Sequence, residues 1–416
     1  MTVDAAPSLP ATARFVVLGA GVHGLSAAYH LAEEGADVVV LDKQRVGAGA
    51  TGISGGIVRN FYLSAAMNEL VARSVEIFEL DPGLFGFRQV GYVAVVPQAQ
   101  AEELERIAAQ HAEAGYTSQL VRGAEATREH MRSLFPDWRA AGSVAALHEL
   151  RSGWADASKT VAALAGMARS AGATIVERVE VVGFDDGTVE TTAGRLACEA
   201  LVVAPGPWAR DVWALLELPA SLDAGDEPRR PFHYWQVREG EFSASGARLD
   251  PRDPVVHLDA DVPVAGLPVP WGIYFRPGIG GGVALGGLPL ELDPDCELDP
   301  YGPSHHELGA TDPAFDSAVT GALAWALGRF EGAAWSGTSF AAQTCFTPDS
   351  HPIVGFVRDG VYAVLDSNHG FKLLALGQLA ARELLGAEQA ALAPFRLERF
   401  AGAALHPASA SPYPWT

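Results

Sequence analysis

Short apolar runs and helical faces alternate at the start of the chain. Arg14–Leu18 (RFVVL) is an almost unbroken apolar run, the pattern of a parallel strand buried on both faces. Leu25, Ala28, Tyr29 and Ala32 then trace one helical face, and Gly35 marks the helix stop. Asp37–Leu41 (DVVVL) is a second strand, ending at Asp42, which completes a βαβ unit in about 30 residues. The glycine-rich stretch Val46–Ile57 (VGAGATGISGGI) precedes a helix from about Ser64 to Leu80, with Met67, Leu70, Val71, Val75 and Phe78 on one face and Asp81-Pro82-Gly83 as its end.

From about Phe87 the pattern changes. Val90–Val96 is strand-like, and Ala101–Ala114 and Ala124–Leu134 are amphipathic helices. A parallel-type alternation returns with a helix at Ser158–Ser170, a strand at Thr174–Phe184, and Thr188–Ala204, a hairpin turning at Ala193-Gly194. The buried run Ala200–Ala204 ends at the break Pro205-Gly206-Pro207-Trp208. Residues 219–310 are rich in Pro, Gly and aromatics, with short strands at 231–238, 254–258, 271–276 and 283–287, an antiparallel sheet rather than a linker. Ala314–Phe330 is a helix, Val361–Leu365 a buried strand, Asp366–Gly370 a turn, and Phe371 to about Leu385 a helix. The Ala/Pro/Ser-rich stretch after Phe400 is expected to be loose.

These elements predict an α/β chain. A doubly wound nucleotide-binding domain is assembled from 1–88, 150–218 and 336–400; an antiparallel-sheet domain is inserted as 89–149 and 219–335; 401–416 is the loose tail. Ligands in doubly wound sheets sit beyond the carboxyl ends of the strands, at the switch point.

Composition narrows the partners. The chain has 416 residues, 29 basic and 50 acidic, for a net charge of −21. That balance argues against nucleic acid or an anionic membrane surface. With 49% hydrophobic and 19% charged residues, intrinsic disorder is excluded. Cys198, Cys296 and Cys345 are too scattered for a disulfide framework or a zinc site, so no metal is expected. The opening MTVDAAPSLPAT lacks the features of a signal peptide, and no run approaches the roughly 18 apolar residues of a membrane span. The expectation is a soluble cytoplasmic protein.

Gly19-x-Gly21-x-x-Gly24 carries the first chemical inference. The first glycine permits a tight turn, the second lets backbone approach a pyrophosphate, and the third lets helix and strand pack closely. The helix N-terminus supplies free N–H groups and partial positive charge. Asp42 stands where an acid would bind an adenosine ribose. The motif does not separate FAD from NAD; the acid argues against NADP, an argument that Lys43 weakens slightly. His23 occupies a variable position and reads as a helix-surface residue.

Four further stretches follow in order: GAGATGISGGIVRNFY (47–62), VVAPGPWA (202–209), TPDSHPIVG (347–355) and SNHGFKLLALG (367–377). With them, the chain from Arg14 to about Ala390 resembles the D-amino acid oxidase and sarcosine oxidase superfamily of FAD enzymes, most closely its sarcosine oxidase-like branch. The resemblance implies a Rossmann-type FAD-binding domain with an inserted antiparallel-sheet substrate domain. It implies a cofactor site of Gly19, Gly21, Gly24, Asp42, Lys43, Gly49, Ala50, Thr51, Ser54, Gly55, Gly56, Val179, Pro205, Gly206, Trp208, His369, Gly370, Phe371 and Lys372. Arg59 and Lys372 match the pair that clamps the substrate carboxylate in sarcosine oxidases, a task that suits the two-pronged donor fork of an arginine. Tyr274, in WGIYFRP, matches a cavity tyrosine, and His351 and His369 flank the C-terminal signature as further catalytic candidates. His233, Trp235, His257 and Trp271 are candidate cavity walls.

Two departures from the family pattern matter. The lysine that promotes reaction with oxygen in sarcosine oxidases corresponds here to Ala284, which leaves the acceptor open between oxygen and another group. The flavin-linking cysteine corresponds to Ala342 rather than Cys345, and the linking histidine of dimethylglycine-type relatives is absent from GATGISGG, so FAD is expected to be non-covalent. The expected reaction is oxidation of the C–N bond of an amino acid or secondary amine, by hydride transfer to flavin N5, giving an imine. The alternatives are flavin oxidation of a 2-hydroxy acid or cyclic imino acid, a redox-inactive nucleotide-binding subunit, and an NAD dehydrogenase.

Overall fold

The computed structural model describes residues 9–224, 227–298, 312–401 and 405–413. Parts of the expected substrate region (299–311) and of the tail (402–404 and 414–416) lie outside the described residues. The strands of the two main sheets are, in chain order, β1 (Phe15–Leu18), β2 (Val38–Asp42), β3 (Tyr92–Val96), β4 (Ser118–Arg122), β5 (Ala145–Glu149), β6 (Thr174–Glu177), β7 (Ala200–Val203), β8 (His233–Ala244), β9 (Val255–Ala260), β10 (Trp271–Pro277), β11 (Val283–Glu291), β12 (Trp335–Phe346), β13 (Ile353–Arg358) and β14 (Val361–Leu365). The longer helices are α1 (Val22–Glu33), α2 (Ala65–Leu80), α3 (Ala101–Glu113), α4 (Ala124–Leu134), α5 (Ala157–Ser170), α6 (Pro313–Ala326) and α7 (Ala375–Leu384).

The first sheet has the order β13-β14-β7-β1-β2-β6. β1 pairs in parallel with β2 and β7, Phe15 standing opposite Val38 and Ala200, while β13 runs antiparallel to β14. Alternate residues of a strand point to opposite faces, and both faces are covered here. Phe15 and Val17 join a core with α1, α5 and α7, and Val16 joins a second core with Leu201, Phe184 and Trp213. That is why RFVVL and DVVVL read as continuous apolar runs.

The second sheet has the order β12-β8-β11-β10-β9-β3-β5-β4. β9 and β3 are parallel and the other neighbours antiparallel. One face is apolar: Val256, Leu258, Ile273 and Phe275 pack with Met131 of α4 and Leu323 of α6. The residues between them, Tyr92, His257, Asp259, Tyr274 and Arg276, project the other way, and Tyr92, His257 and Tyr274 line a cavity.

Four expectations need correction. Thr174–Phe184 is not one strand. Arg178 adopts a left-handed backbone (φ 60), and the N–H groups of Arg178 and Val179 donate to the carbonyls of Gln44 and Asp42. The chain therefore leaves the first sheet at Glu177, and Val181–Asp185 begins a separate antiparallel ribbon with Thr188–Thr191 and Gly194–Ala197. The last helix starts at Ala375 rather than Phe371, after a tight turn at Gly370–Leu373. His23 is buried rather than a helix-surface residue, because it pairs with Asp366 at 2.8 Å. Residues 405–413 are not loose: Tyr413 is buried, and Ser409, Ala410 and Ser411 hydrogen-bond to Glu103 and Asp259.

Candidate functional site

The turn after β1 is shaped by close backbone approach. At Gly19 (φ +105) a Cβ would lie 2.2 Å from the Ala204 carbonyl oxygen, and at Gly24 a Cβ would lie 1.9 Å from the Gly19 carbonyl oxygen. Gly24 thus packs under the turn and does not face the cavity. Helix α1 begins beyond Gly21 with no side-chain cap, and Thr51 Oγ1 accepts from the Val22 N–H at 3.2 Å. Thr51 takes the first of the helix's free N–H groups, and the N–H groups that follow it, with no side-chain acceptor among the described residues, favour an anion.

Asp42 closes β2 beside this turn. Its Oδ2 accepts from the Ala20 N–H and its Oδ1 from the Gln44 N–H, both at 2.8 Å. Burial raises its pKa against those hydrogen bonds. The Lys43 ammonium sits 4.4 Å over the Trp208 ring, a cation–π contact between two residues that line the cavity. Gly206 (φ +58) and Gly370 (φ +46) both present open space where a side chain would stand. Every predicted cofactor residue except Gly24 lines one cavity of about 480 Å³, a size ordinary for small-molecule sites.

The 366–372 turn supplies another part of that cavity's lining. Asp366 Oδ2 accepts from the Gly370 N–H (2.8 Å) and meets His23 Nε2 (2.8 Å). Burial alone would raise the Asp366 pKa, but His23 and these hydrogen bonds hold it well below the usual range. The pair thereby ties the first helix to the last strand. His369 is committed within the protein: Tyr62 Oη meets Nδ1 at 2.9 Å and Nε2 meets the Ser350 carbonyl at 2.7 Å. Burial, then Lys372, hold its pKa well below the usual histidine range. Lys372 is itself lowered to about 7, by burial and then by Arg59, with Asp366 and Glu239 opposing.

Arg59 is 4% exposed, which excludes a surface ion pair. Among the described residues its guanidinium hydrogen-bonds only the Phe61 carbonyl, at 2.7 Å, leaving most of its five donors uncommitted. The rings of Tyr62 and Tyr92 flank it at 5.0 and 5.9 Å. Tyr274 Oη donates to Glu239 Oε1 at 2.6 Å. Arg59, Lys372, Tyr274 and His369 all line the cavity. His351 does not. Its Nδ1 meets the Asp349 carbonyl, and its ring stacks on His406 with centroids 4.0 Å apart. Asp349 is bound by Arg399 at 2.9 Å, so the 347–351 signature acts as a structural clasp. Of the candidate walls, His257 reaches the cavity, whereas Trp271 belongs to the apolar core. His233 and Trp235 share the inward row of β8, but Val237 and Glu239 further along it form the wall.

Several residues at or near the cavity escaped the sequence. Glu239 lies against the glycine loop: a Cβ on Gly55 would come within 2.9 Å of its Oε2. Burial raises its pKa, opposed by Tyr274, Arg276 and Lys372. Glu149, wholly buried, accepts from the Asn60 N–H and the Ser152 hydroxyl and sits within electrostatic reach of Arg59. Burial pushes its pKa up to about 7. Strand alternation marks both only as polar positions; Tyr274, which meets Glu239, lies on another strand of the sheet, and Asn60, which meets Glu149, is distant in sequence. His23 carried one usable signal, a polar ring inside a tightly packed glycine turn.

The chain matches the model of the family described as "DAO: FAD dependent oxidoreductase" over residues 14–383, and it belongs to that family. FAD is its cofactor class, and the glycine turn, the uncapped α1 N-terminus and the open space at Gly206 and Gly370 fit that group. Among curated proteins it is 29% identical to human dimethylglycine dehydrogenase over 225 residues, half of this chain and 24% of the relative. It is 27% identical to the mouse pyruvate dehydrogenase phosphatase regulatory subunit over 227 residues, 52% of this chain and 25% of the relative. The chain thus spans about a quarter of the length of these relatives. The solved L-proline dehydrogenase from P. horikoshii superposes with a TM-score of 0.78 at 22% identity, over 95% of this chain and 99% of that one. No described helix is long and apolar enough to cross a membrane.

Proposed function

We propose that this chain oxidises the C–N bond of a small amino acid or secondary amine that carries a carboxylate, in the manner of the sarcosine oxidase-like branch. The observation that supports it best is a buried arginine with uncommitted donors in the same cavity as the glycine turn and Lys372. Relatives named dimethylglycine dehydrogenase and sarcosine dehydrogenase favour the same substrate class. The domain division given above goes with this reading: the first sheet holds the cofactor and the second supplies the substrate wall.

Each residue has a task in this account. Gly19, Gly21 and the α1 N-terminus would hold the pyrophosphate, and Asp42 would accept from the ribose. The loop 49–56, Pro205-Gly206 and the 369–372 turn would hold the rest of the cofactor. Bound FAD supplies the hydride acceptor. Arg59 binds both oxygens of the carboxylate, and Lys372 in its charged form adds the second cation. Glu239, held by Tyr274, offers the carboxylate that favours the amine end. Fixing the substrate at both ends removes much of the entropic cost of the step. His369 positions Tyr62 and the 366–372 turn rather than contacting substrate. Burial raises the Cys345 thiol pKa, which disfavours the thiolate a covalent link needs and supports a flavin held non-covalently.

The test is anaerobic mixing of purified, FAD-loaded protein with N-methyl amino acids, cyclic imino acids, D-amino acids and 2-hydroxy acids while the flavin spectrum is followed. Bleaching by an amine carrying a carboxylate, lost in Arg59→Ala, supports the reading. Bleaching only by 2-hydroxy acids, or colourless protein without affinity for FAD, overturns it. Oxygen as acceptor is tested by readmitting air and timing reoxidation.

A further inference from the structure

Residues 405–413 pack against the substrate end of the molecule, and four of them, His406, Ser409, Ala410 and Ser411, hold the segment there. His406 stacks between His351 (4.0 Å) and Phe395 (5.6 Å). Ser409 Oγ and the Ala410 N–H donate to the two oxygens of Glu103, on α3, at 2.6 and 2.8 Å. Ser411 Oγ donates to Asp259 Oδ2 at 2.7 Å. Asp259 is wholly buried, and its other oxygen meets His257 Nε2 at 2.8 Å. Ser411 therefore satisfies a buried carboxylate oxygen that would otherwise be left without a donor.

This anchoring delivers one side chain. Tyr413 is 2% exposed; its ring lies 4.9 Å from that of His257 and 6.0 Å from that of Tyr274, and it lines the same cavity as Arg59. Its edge fits against backbone: a Cβ on Gly272 would come within 2.5 Å of the Tyr413 ring, and one on Gly287 within 3.2 Å of its hydroxyl. We propose that residues 405–413 are a built wall of the substrate cavity and that Tyr413 is a specificity-determining residue, limiting the length of the substrate group opposite the carboxylate. The proposal rests on Arg59 as the carboxylate site.

The test uses the full chain loaded with FAD. Acetate, butyrate and hexanoate are the probes, read from the perturbation of the flavin absorbance, and deuterium uptake by 405–413 is the second readout. Tyr413→Ala is expected to raise the hexanoate-to-acetate affinity ratio by about tenfold or more, since one or two methylenes against a fixed wall discriminate on that scale. Tyr413→Phe keeps the ring and leaves the ratio unchanged. Glu103→Ala, outside the cavity, is expected to shift the ratio in the same direction and to raise deuterium uptake; it keeps the test decisive if Tyr413→Ala does not fold. An unchanged ratio in both alanine variants, with normal acetate affinity, overturns the wall and leaves the Arg59 reading standing. Failure of acetate to bind the unaltered protein overturns the Arg59 reading and the wall with it. Rapid uptake at 405–413 in the unaltered protein also contradicts a fixed wall.

Discussion

The glycine turn after β1 and the inner face of the second sheet line one cavity and are built by opposite means. At the turn, short-range spacing sets most of the geometry: Gly24 must approach Gly19 and α1 must start at once, with Ala204, just past the neighbouring strand β7, as the one distant contact against Gly19. On the sheet, the chemistry comes from residues far apart: Tyr274 reaches Glu239, Asp259 reaches Ser411, and Arg59 lies among Tyr62, Tyr92 and Glu149. A site that binds a common cofactor can be written locally. A site that selects a substrate is assembled from whatever side chains the sheet and its connections bring together.

The sharpest way to break this contrast is at the turn. In Gly19→Val the left-handed backbone costs about 1–3 kcal/mol, and the overlap with Ala204 a further sum of about 1–3 kcal/mol. The expected outcome is folded or partly folded protein that purifies without yellow colour, checked by circular dichroism and flavin absorbance. Full retention of FAD would show that the turn is not the cofactor's seat. The next effect belongs to the sheet side. Arg59→Ala is expected to weaken acetate binding roughly 100-fold, within the range of about 2–5 kcal/mol for truncating a buried charge partner. Arg59→Lys should recover only part of that loss, because it cannot bind both oxygens.

A smaller effect tests the electrostatics. The Lys372 pKa near 7 is set by burial and Arg59 against Asp366 and Glu239. Below that pH the ammonium is charged and assists an anion; above it the amine is neutral. Acetate affinity should therefore be level at low pH and fall above about pH 7, by at most about tenfold per unit. Lys372→Met should be weaker and flat across the same range; a slope that survives the substitution assigns the titration to another group. The smallest effect is expected at Cys345. Acid precipitation should release FAD from the unaltered protein, and Cys345→Ser should retain the same amount of flavin; yellow precipitate would reverse the non-covalent assignment.

How much could be read in advance follows the same division. The βαβ unit, the Gly19 motif, Asp42 and the 367–377 stretch were legible, because short-range spacing and backbone constraints determine them. The parallel sheet was legible because its strands are buried on both faces. Glu239 was not, since HYWQVREGEF reads as a half-polar strand whose inward row cannot be chosen without its partners. His23 reads as a surface residue in the sequence because its partner Asp366 lies 343 residues away. The stretch after Phe400 reads as loose because composition records small and proline residues but not the buried carboxylates, Asp259 and Asp349, that hold them. His351 stands in a signature that is kept in shape by the Arg399–Asp349 pair rather than by contact with the cavity.

The account depends on the glycine turn and the Lys372 turn being two ends of one FAD site. The midpoint potential of the bound flavin at pH 6, where Lys372 is charged, tests this most directly. A cation beside the pyrimidine edge stabilises the reduced, negatively charged flavin. Lys372→Met should therefore lower the potential by about 30 mV or more, equivalent to about 1.4 kcal/mol for a two-electron couple. A potential unchanged by that substitution would place the lysine away from the flavin and contradict the account.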